Sequence, residues 1–142
     1  MIIESAKSGV QLKFIRLVNS QFEWYNYLEN PSLQDLPVGL EVTYDARENF
    51  LDTLVSVQIG NELEEVENSD FYLKVGIVGI FEKVGETKLS DEEFAKVNAA
   101  AIIFPYIRQH IRALSLDAGF TPIILPIVNF HAWYKNTKEE NK

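Results

Sequence analysis

Few side chains in this sequence have the type and spacing for covalent or metal chemistry. His110 lies between Gln109 and Ile111, and His131 follows Phe130. Neither has a second histidine or a carboxylate three or four residues on, so neither forms a metal pair on one helix face. Both are expected in structural or surface roles. Glu62, Glu64, Glu65, Glu67 and Asp70 make an acidic run. It lacks the alternating oxygen ligands and central glycine of a calcium loop, so a solvated turn is expected. The chain has no cysteine, which excludes disulfides, thiol catalysis and cysteine–zinc sites. No nucleophile elbow, P-loop or dinucleotide fingerprint is present, and the Gly76-Ile77-Val78-Gly79 pair of glycines has no phosphate-loop context. The residues therefore predict no enzyme, no cofactor and no metal.

The chemistry that stands out is apolar and aromatic. Nine Phe, six Tyr and two Trp accompany 46% hydrophobic residues, which fits a folded chain. The stretch 104–134, FPYIRQHIRALSLDAGFTPIILPIVNFHAWY, concentrates such side chains near the end of an otherwise acidic protein. A surface of this kind is a core, an oligomer interface or a place to hold other chains. A net charge of −8, from 21 acidic and 13 basic residues, argues against nucleic acid, whose phosphates need a basic footprint. The first ten residues lack the charged and apolar regions of a signal peptide. The longest near-apolar run, Phe120 to Phe130, holds two prolines and is too short to span a bilayer. The expectation is a cytoplasmic protein with no membrane insertion.

The elements that would position these side chains fall into two halves. At 142 residues a single domain is expected over 1–142, with its core at about 11–136 and flexible termini, burying roughly two-thirds of its unfolded surface. Residues 11–24 alternate in part, with Leu12, Phe14 and Arg16 on one face and Ile15 and Leu17 on the other. Residues 39–46 alternate cleanly, as do 53–59, and 71–83 read as a fourth strand whose Gly76 and Gly79 predict a bulge or a close backbone contact. Residues 25–37 carry two prolines and form a long connection. Ser90 through Glu93 read as a capping box opening a helix, with an interruption near Asn98 or at Pro105. Ile103, Ile107, Ile111 and Leu114 form one apolar stripe, with Arg108 and Arg112 off it. Gly119 is a C-cap, and Asn129 caps a final helix over about 130–136, ahead of a frayed tail.

This order resembles the SecB protein-export chaperone family. The resemblance is carried by Phe104-Pro105-Tyr106-x-Arg108, Gly119-Phe120 and Val128-Asn129-Phe130, with Phe22-Glu23 followed by a long crossover to Glu41-Val42. It covers about residues 11–136. One departure is Ile127, where members have proline; Pro126 sits one earlier. The resemblance implies an α+β fold: a four-stranded antiparallel sheet with a long helix and a short C-terminal helix on one side, assembling as a dimer of dimers. It implies an ATP-independent holdase for non-native polypeptides, of use in export, with a homotetramer as its form.

The family's client groove implies contacts from Trp24, Tyr25, Tyr27, Leu28, Leu33 and Leu36 of the crossover and from Phe130, Trp133 and Tyr134 of the last helix. The residue types alone leave Trp24, Tyr27 and Trp133 open between groove and core, and favour core for Phe130. The family's tetramer implies an oligomer interface involving Ile103, Ile107, Arg108, Ile111, Arg112 and Leu114, the arginines meeting acidic groups across it. Members that dock on the SecA motor use acidic positions on the exposed sheet face. Glu23 matches one, but two others stand as Asn19 and Lys74, so weak or no SecA binding is expected. A chaperone linked to a toxin–antitoxin system with one dedicated client fits the same residues. So does an oligomeric scaffold or adaptor that binds a folded partner.

Overall fold

The computed structural model describes residues 9–31, 37–60 and 70–140. Four strands, β1 (Val10–Trp24), β2 (Val38–Arg47), β3 (Phe50–Ile59) and β4 (Phe71–Lys83), form one antiparallel sheet in the order β1-β4-β3-β2. The crossover from β1 to β2 therefore joins the two edges of the sheet. All four strands cover the segments that read as strands in the sequence. In β3, Leu51, Thr53, Val55, Val57 and Ile59 are buried, the period of a strand with one face in the core.

One expectation about β1 needs correction. The register slips between Leu12 and Phe14 and again between Leu17 and Asn19, so Lys13 and Val18 are extra residues opposite β4. Each such bulge resets which face the following residues occupy. Leu12, paired with Phe81, thus shares the inner face with Ile15 and Leu17, whereas Phe14 and Arg16 lie on the outer one. The glycines of β4 have another role. A Cβ on Gly79 would lie 2.9 Å from Ile103 Cδ1, so Gly79 lets the long helix approach the sheet.

The helical half begins at Ser90, whose hydroxyl accepts from the Glu93 backbone N–H at 3.1 Å. A single helical turn, α1 (Asp91–Glu93), passes into a π-helical stretch over Phe94–Ala99 and then into α2 (Ala100–Asp117). The expected irregularity near Asn98 is this π-helical stretch, whereas no break occurs at Pro105, which lies inside α2. Burial explains the continuity: Ile103, Ile107 and Ile111 are each 0% exposed and pack with Val55, Val57, Val75 and Ile77 of the sheet. That apolar area outweighs a proline penalty of about 3 kcal/mol. Gly119, at φ +83°, ends α2 with Gly119 N–H donating to the Leu116 carbonyl and Phe120 N–H to that of Ser115, a Schellman cap.

The chain then returns along α2 as an extended linker. Ile123 N–H donates to Ser115 Oγ, which itself donates to the Arg112 carbonyl. Further along, Arg108 Nε donates to the Leu125 carbonyl at 3.0 Å. These bonds fix the linker's register and bury Phe120, Ile123 and Leu125. Asn129 Oδ1 accepts from the Ala132 N–H to open α3 (Phe130–Glu140). This helix runs past the expected end at 136. Thr137 Oγ1 donates to the Trp133 carbonyl, and Lys138 lies 5.2 Å from the Tyr134 ring centroid.

Candidate functional site

Trp24 ends β1 on the inner face and joins an aromatic cluster. Its ring stacks on Phe120 (5.4 Å, 16°) and meets Phe22 edge-on and Phe71 at a tilt. Its indole N–H donates to the Ala118 carbonyl at 3.0 Å. The strand end is thereby tied to the end of α2, and the cap at Gly119 delivers Phe120 to the stack. Just beyond, Trp24, Tyr27, Asn30, Pro31, Gly119 and Phe120 line a pocket of about 220 Å³. Tyr27 and Leu28 are 77% and 84% exposed. Tyr25 is half-buried, and its N–H donates to the Asp70 carbonyl. Leu33 and Leu36 lie outside the described residues, as does the acidic run except for Asp70.

The last helix holds its aromatics differently. Phe130 packs edge-on against Phe104 (5.4 Å) and is buried, as is Tyr134. These two residues have almost no surface to offer a ligand, which corrects their expected place in a groove. Trp133 is half-buried beside Phe130. The structure does not bring the crossover aromatics and the α3 aromatics together. Trp24 sits at the C-terminal end of α2 and Phe130 near its N-terminal end, and 14 residues separate Phe104 from Ala118, about 21 Å of helix. What joins the two clusters is the linker.

The linker supplies residues that the sequence reading did not single out. Ile124 is 70% and Ile127 85% exposed. Both fall in the stretch of chain that connects the two aromatic clusters, and both leave apolar surface open, as Tyr27 and Leu28 do beyond β1. A signal existed for Ile124 alone, in the alternation Ile123-Ile124-Leu125, which in an extended chain puts the middle residue opposite its neighbours; the same period would have put Ile127 with the buried pair. Open apolar side chains of this kind recognise a partner by area and shape rather than by a fixed sequence code.

The expected interface residues divide. Ile103, Ile107 and Ile111 are spent on the protomer's own core, because they face the sheet, and have no area left for a partner. Leu114 is half-buried, Arg108 is half-buried against the linker, and Arg112 is exposed. The open flank of α2 instead carries Ile102, Tyr106 and Leu116, next to the uncovered Leu12 and Leu17 of β1. Between them, Ser20 Oγ and His110 Nε2 hydrogen-bond at 2.8 Å. On the outer sheet face, Asn19 pairs with Gly76, Gln21 with Lys74, and Glu23 with Tyr72. Glu23 is exposed there, with Lys74 and Asn19 on the same face. Among the described residues no group of three or more His, Asp or Glu is placed to hold a metal. Among the same residues no helix is long and apolar enough to cross a membrane.

Comparison with known proteins points to one family. Residues 19–141 match the family described as preprotein translocase subunit SecB. An uncharacterised protein of Methanocaldococcus jannaschii is 33% identical over 108 residues, covering 73% of this chain and 69% of that protein. The protein-export protein SecB of Rickettsia akari is 25% identical over 137 residues, 88% of this chain and 89% of its own. The fold is similar to the SecB-like chaperone Rv1957 of Mycobacterium tuberculosis, solved with a ChAD peptide from the HigA1 antitoxin. The TM-score is 0.67 at 16% identity, covering 89% of this chain and 94% of that one.

Proposed function

The chain belongs to the SecB family of non-enzymatic chaperones, and from that premise we propose that it is an ATP-independent holdase for non-native polypeptides. In this reading its clients lie along a course from Tyr27 and Leu28 past Ile124 and Ile127 to Trp133. The observation that carries this reading is the exposure of four large apolar side chains, Tyr27 and Leu28 after β1 and Ile124 and Ile127 in the linker, with Tyr27 lining a stacked aromatic pocket. Holding needs no nucleotide, because binding the unfolded state alone shifts its equilibrium. The test is light scattering of a chemically unfolded model protein diluted into buffer without ATP. The chain should suppress aggregation at near-equimolar ratio, and Ile124→Ser/Ile127→Ser should lose most of that effect. A scaffold or adaptor for a folded partner would leave aggregation unchanged.

Delivery for export is one route for such a holdase, and the outer sheet face favours another. SecA docking there needs acidic charge, and Lys74 and Asn19 leave Glu23 without that company. We expect SecA to bind weakly or not at all, and Lys74→Glu with Asn19→Asp to strengthen it. Tight, salt-sensitive binding of SecA to the unmodified chain would remove this expectation. A dedicated client, as in the complex of the mycobacterial SecB-like chaperone with an antitoxin peptide, is the second reading that the altered face supports. The working place of either is the cytoplasm.

A further inference from the structure

We propose that the seam between α2 and the linker holds a carboxylate-binding subsite, so that this chain selects extended segments with an acidic side chain about three to five residues from an aromatic one. The inference rests on the groove reading above and names the chemistry of the segment taken.

Arg108 and Arg112 stand one turn apart on α2. With Pro105, Gln109, Ile124 and Leu125 they line a pocket of about 270 Å³. The bond from Arg108 Nε to the Leu125 carbonyl holds that guanidinium in place and leaves its two terminal nitrogens for another acceptor. Arg112 takes part through its carbonyl in the bond from Ser115, but its guanidinium makes no hydrogen bond or ion pair among the described residues. The ion pairs there are Lys13–Glu82, Arg47–Asp52, Lys83–Asp91 and Lys96–Glu92. Like charges at this spacing repel. Yet the chain has 21 − 13 = 8 more acidic than basic residues, so carboxylate partners are not scarce. Two guanidiniums without a carboxylate, one of them pre-oriented by a backbone carbonyl, match the planar two-oxygen geometry of an incoming carboxylate. The exposed Ile124 at the rim adds an apolar contact beside it.

The spacing follows from two rulers. Ala118, at the Trp24 pocket, lies six and ten residues from Arg112 and Arg108, about 9 to 15 Å of helix. Phe120 and Ile124 are four linker residues apart, a reach of at most about 14 Å. An extended client covers that distance in about three to five residues.

The test uses fluorescently labelled nine-residue peptides in a Ser/Thr background. Each carries one tryptophan and, four positions away in either order, glutamate, glutamine or lysine. They are titrated against the full chain, Arg112→Gln and Arg112→Glu. The glutamate peptide should bind the unmodified chain roughly tenfold tighter than the glutamine peptide, a preference that shrinks with salt. Arg112→Gln should abolish that preference, and Arg112→Glu should turn it toward the lysine peptide. Equal affinities for glutamate and glutamine overturn the subsite but leave the groove standing, since the tryptophan still binds. Failure of all three peptides to bind removes both. Light scattering on the same proteins separates the remaining occupant. An Arg112→Gln protein of reduced assembly mass that keeps its glutamate preference assigns the arginine to a second copy of this chain and overturns the proposal.

Discussion

Stacking on Phe120 and the hydrogen bond to the Ala118 carbonyl both pass through Trp24, so one side chain joins pocket and scaffold. Trp24→Phe keeps a ring in the stack but strands the carbonyl, and should cost about 1–2 kcal/mol in urea unfolding. Trp24→Ala should cost about 3 kcal/mol, near the lower end for a core aromatic because the ring is only half-buried. It should also weaken peptide binding in the folded fraction. Thr53 makes the opposite case. It is 0% exposed in β3, and its hydroxyl has no hydrogen-bond partner among the described residues. Thr53→Val keeps the shape and removes the unpaired group, and should stabilise the chain by about 1 kcal/mol, read as a raised urea midpoint. Neither partnership was legible in the sequence. Residue type marked Trp24 as apolar and rigid, but its roles as stack and donor depend on Ala118 and Phe120, more than 90 positions away.

Elements were more legible than contacts. Alternation located β2 and β3, because a sheet with one buried face writes its period directly into the chain, whereas β4 showed only as a short apolar run rich in β-formers. The bulges at Lys13 and Val18 have no such imprint, so the faces of β1 were readable only in part. The passage of α2 through Pro105 was hidden for a related reason. Proline is a local signal, whereas the force that overrides it comes from Ile103, Ile107 and Ile111 packing on distant strands. That packing depends on Gly79. A methyl there lies within 2.9–3.0 Å of the Ile103 side chain, so Gly79→Ala should destabilise the fold by about 1–3 kcal/mol. Adding Ile103→Val removes the Cδ1 that the methyl meets. The double variant should therefore lose less than the two single losses added together, a coupling that thermal unfolding of all four proteins would detect. Strict additivity would mean that the methyl's cost comes from Phe81, whose ring it would meet at the same 2.9 Å, rather than from α2.

At the scale of the whole molecule, one face remains unexplained by a lone protomer. The helix α2 covers β3 and β4 but leaves Leu12 and Leu17 of β1 open, beside Ile102, Tyr106 and Leu116 on its own flank. Contiguous apolar surface of this kind on a polar-rimmed chain is what a symmetric partner copy covers. We expect light scattering to give about four times the chain mass, the dimer-of-dimers expectation, with Leu17→Glu shifting it to smaller species. Leu17 lies on the inner face of edge strand β1, away from Tyr27, Ile124 and Ile127, so the charge should leave each protomer's own line intact. Function should then depend on client length. One copy offers a course about the length of α2, 18 residues or about 27 Å. A nine-residue extended peptide occupies about 30 Å and needs no second copy. A long unfolded chain gains when several such courses are held together, because each later contact forms at a high effective concentration. Leu17→Glu should therefore bind the short peptide within about twofold of the unmodified chain and lose about tenfold or more for a full-length unfolded protein. Equal losses for both ligands would place Leu17 in the groove itself, and no loss for either would mean that single copies do the holding.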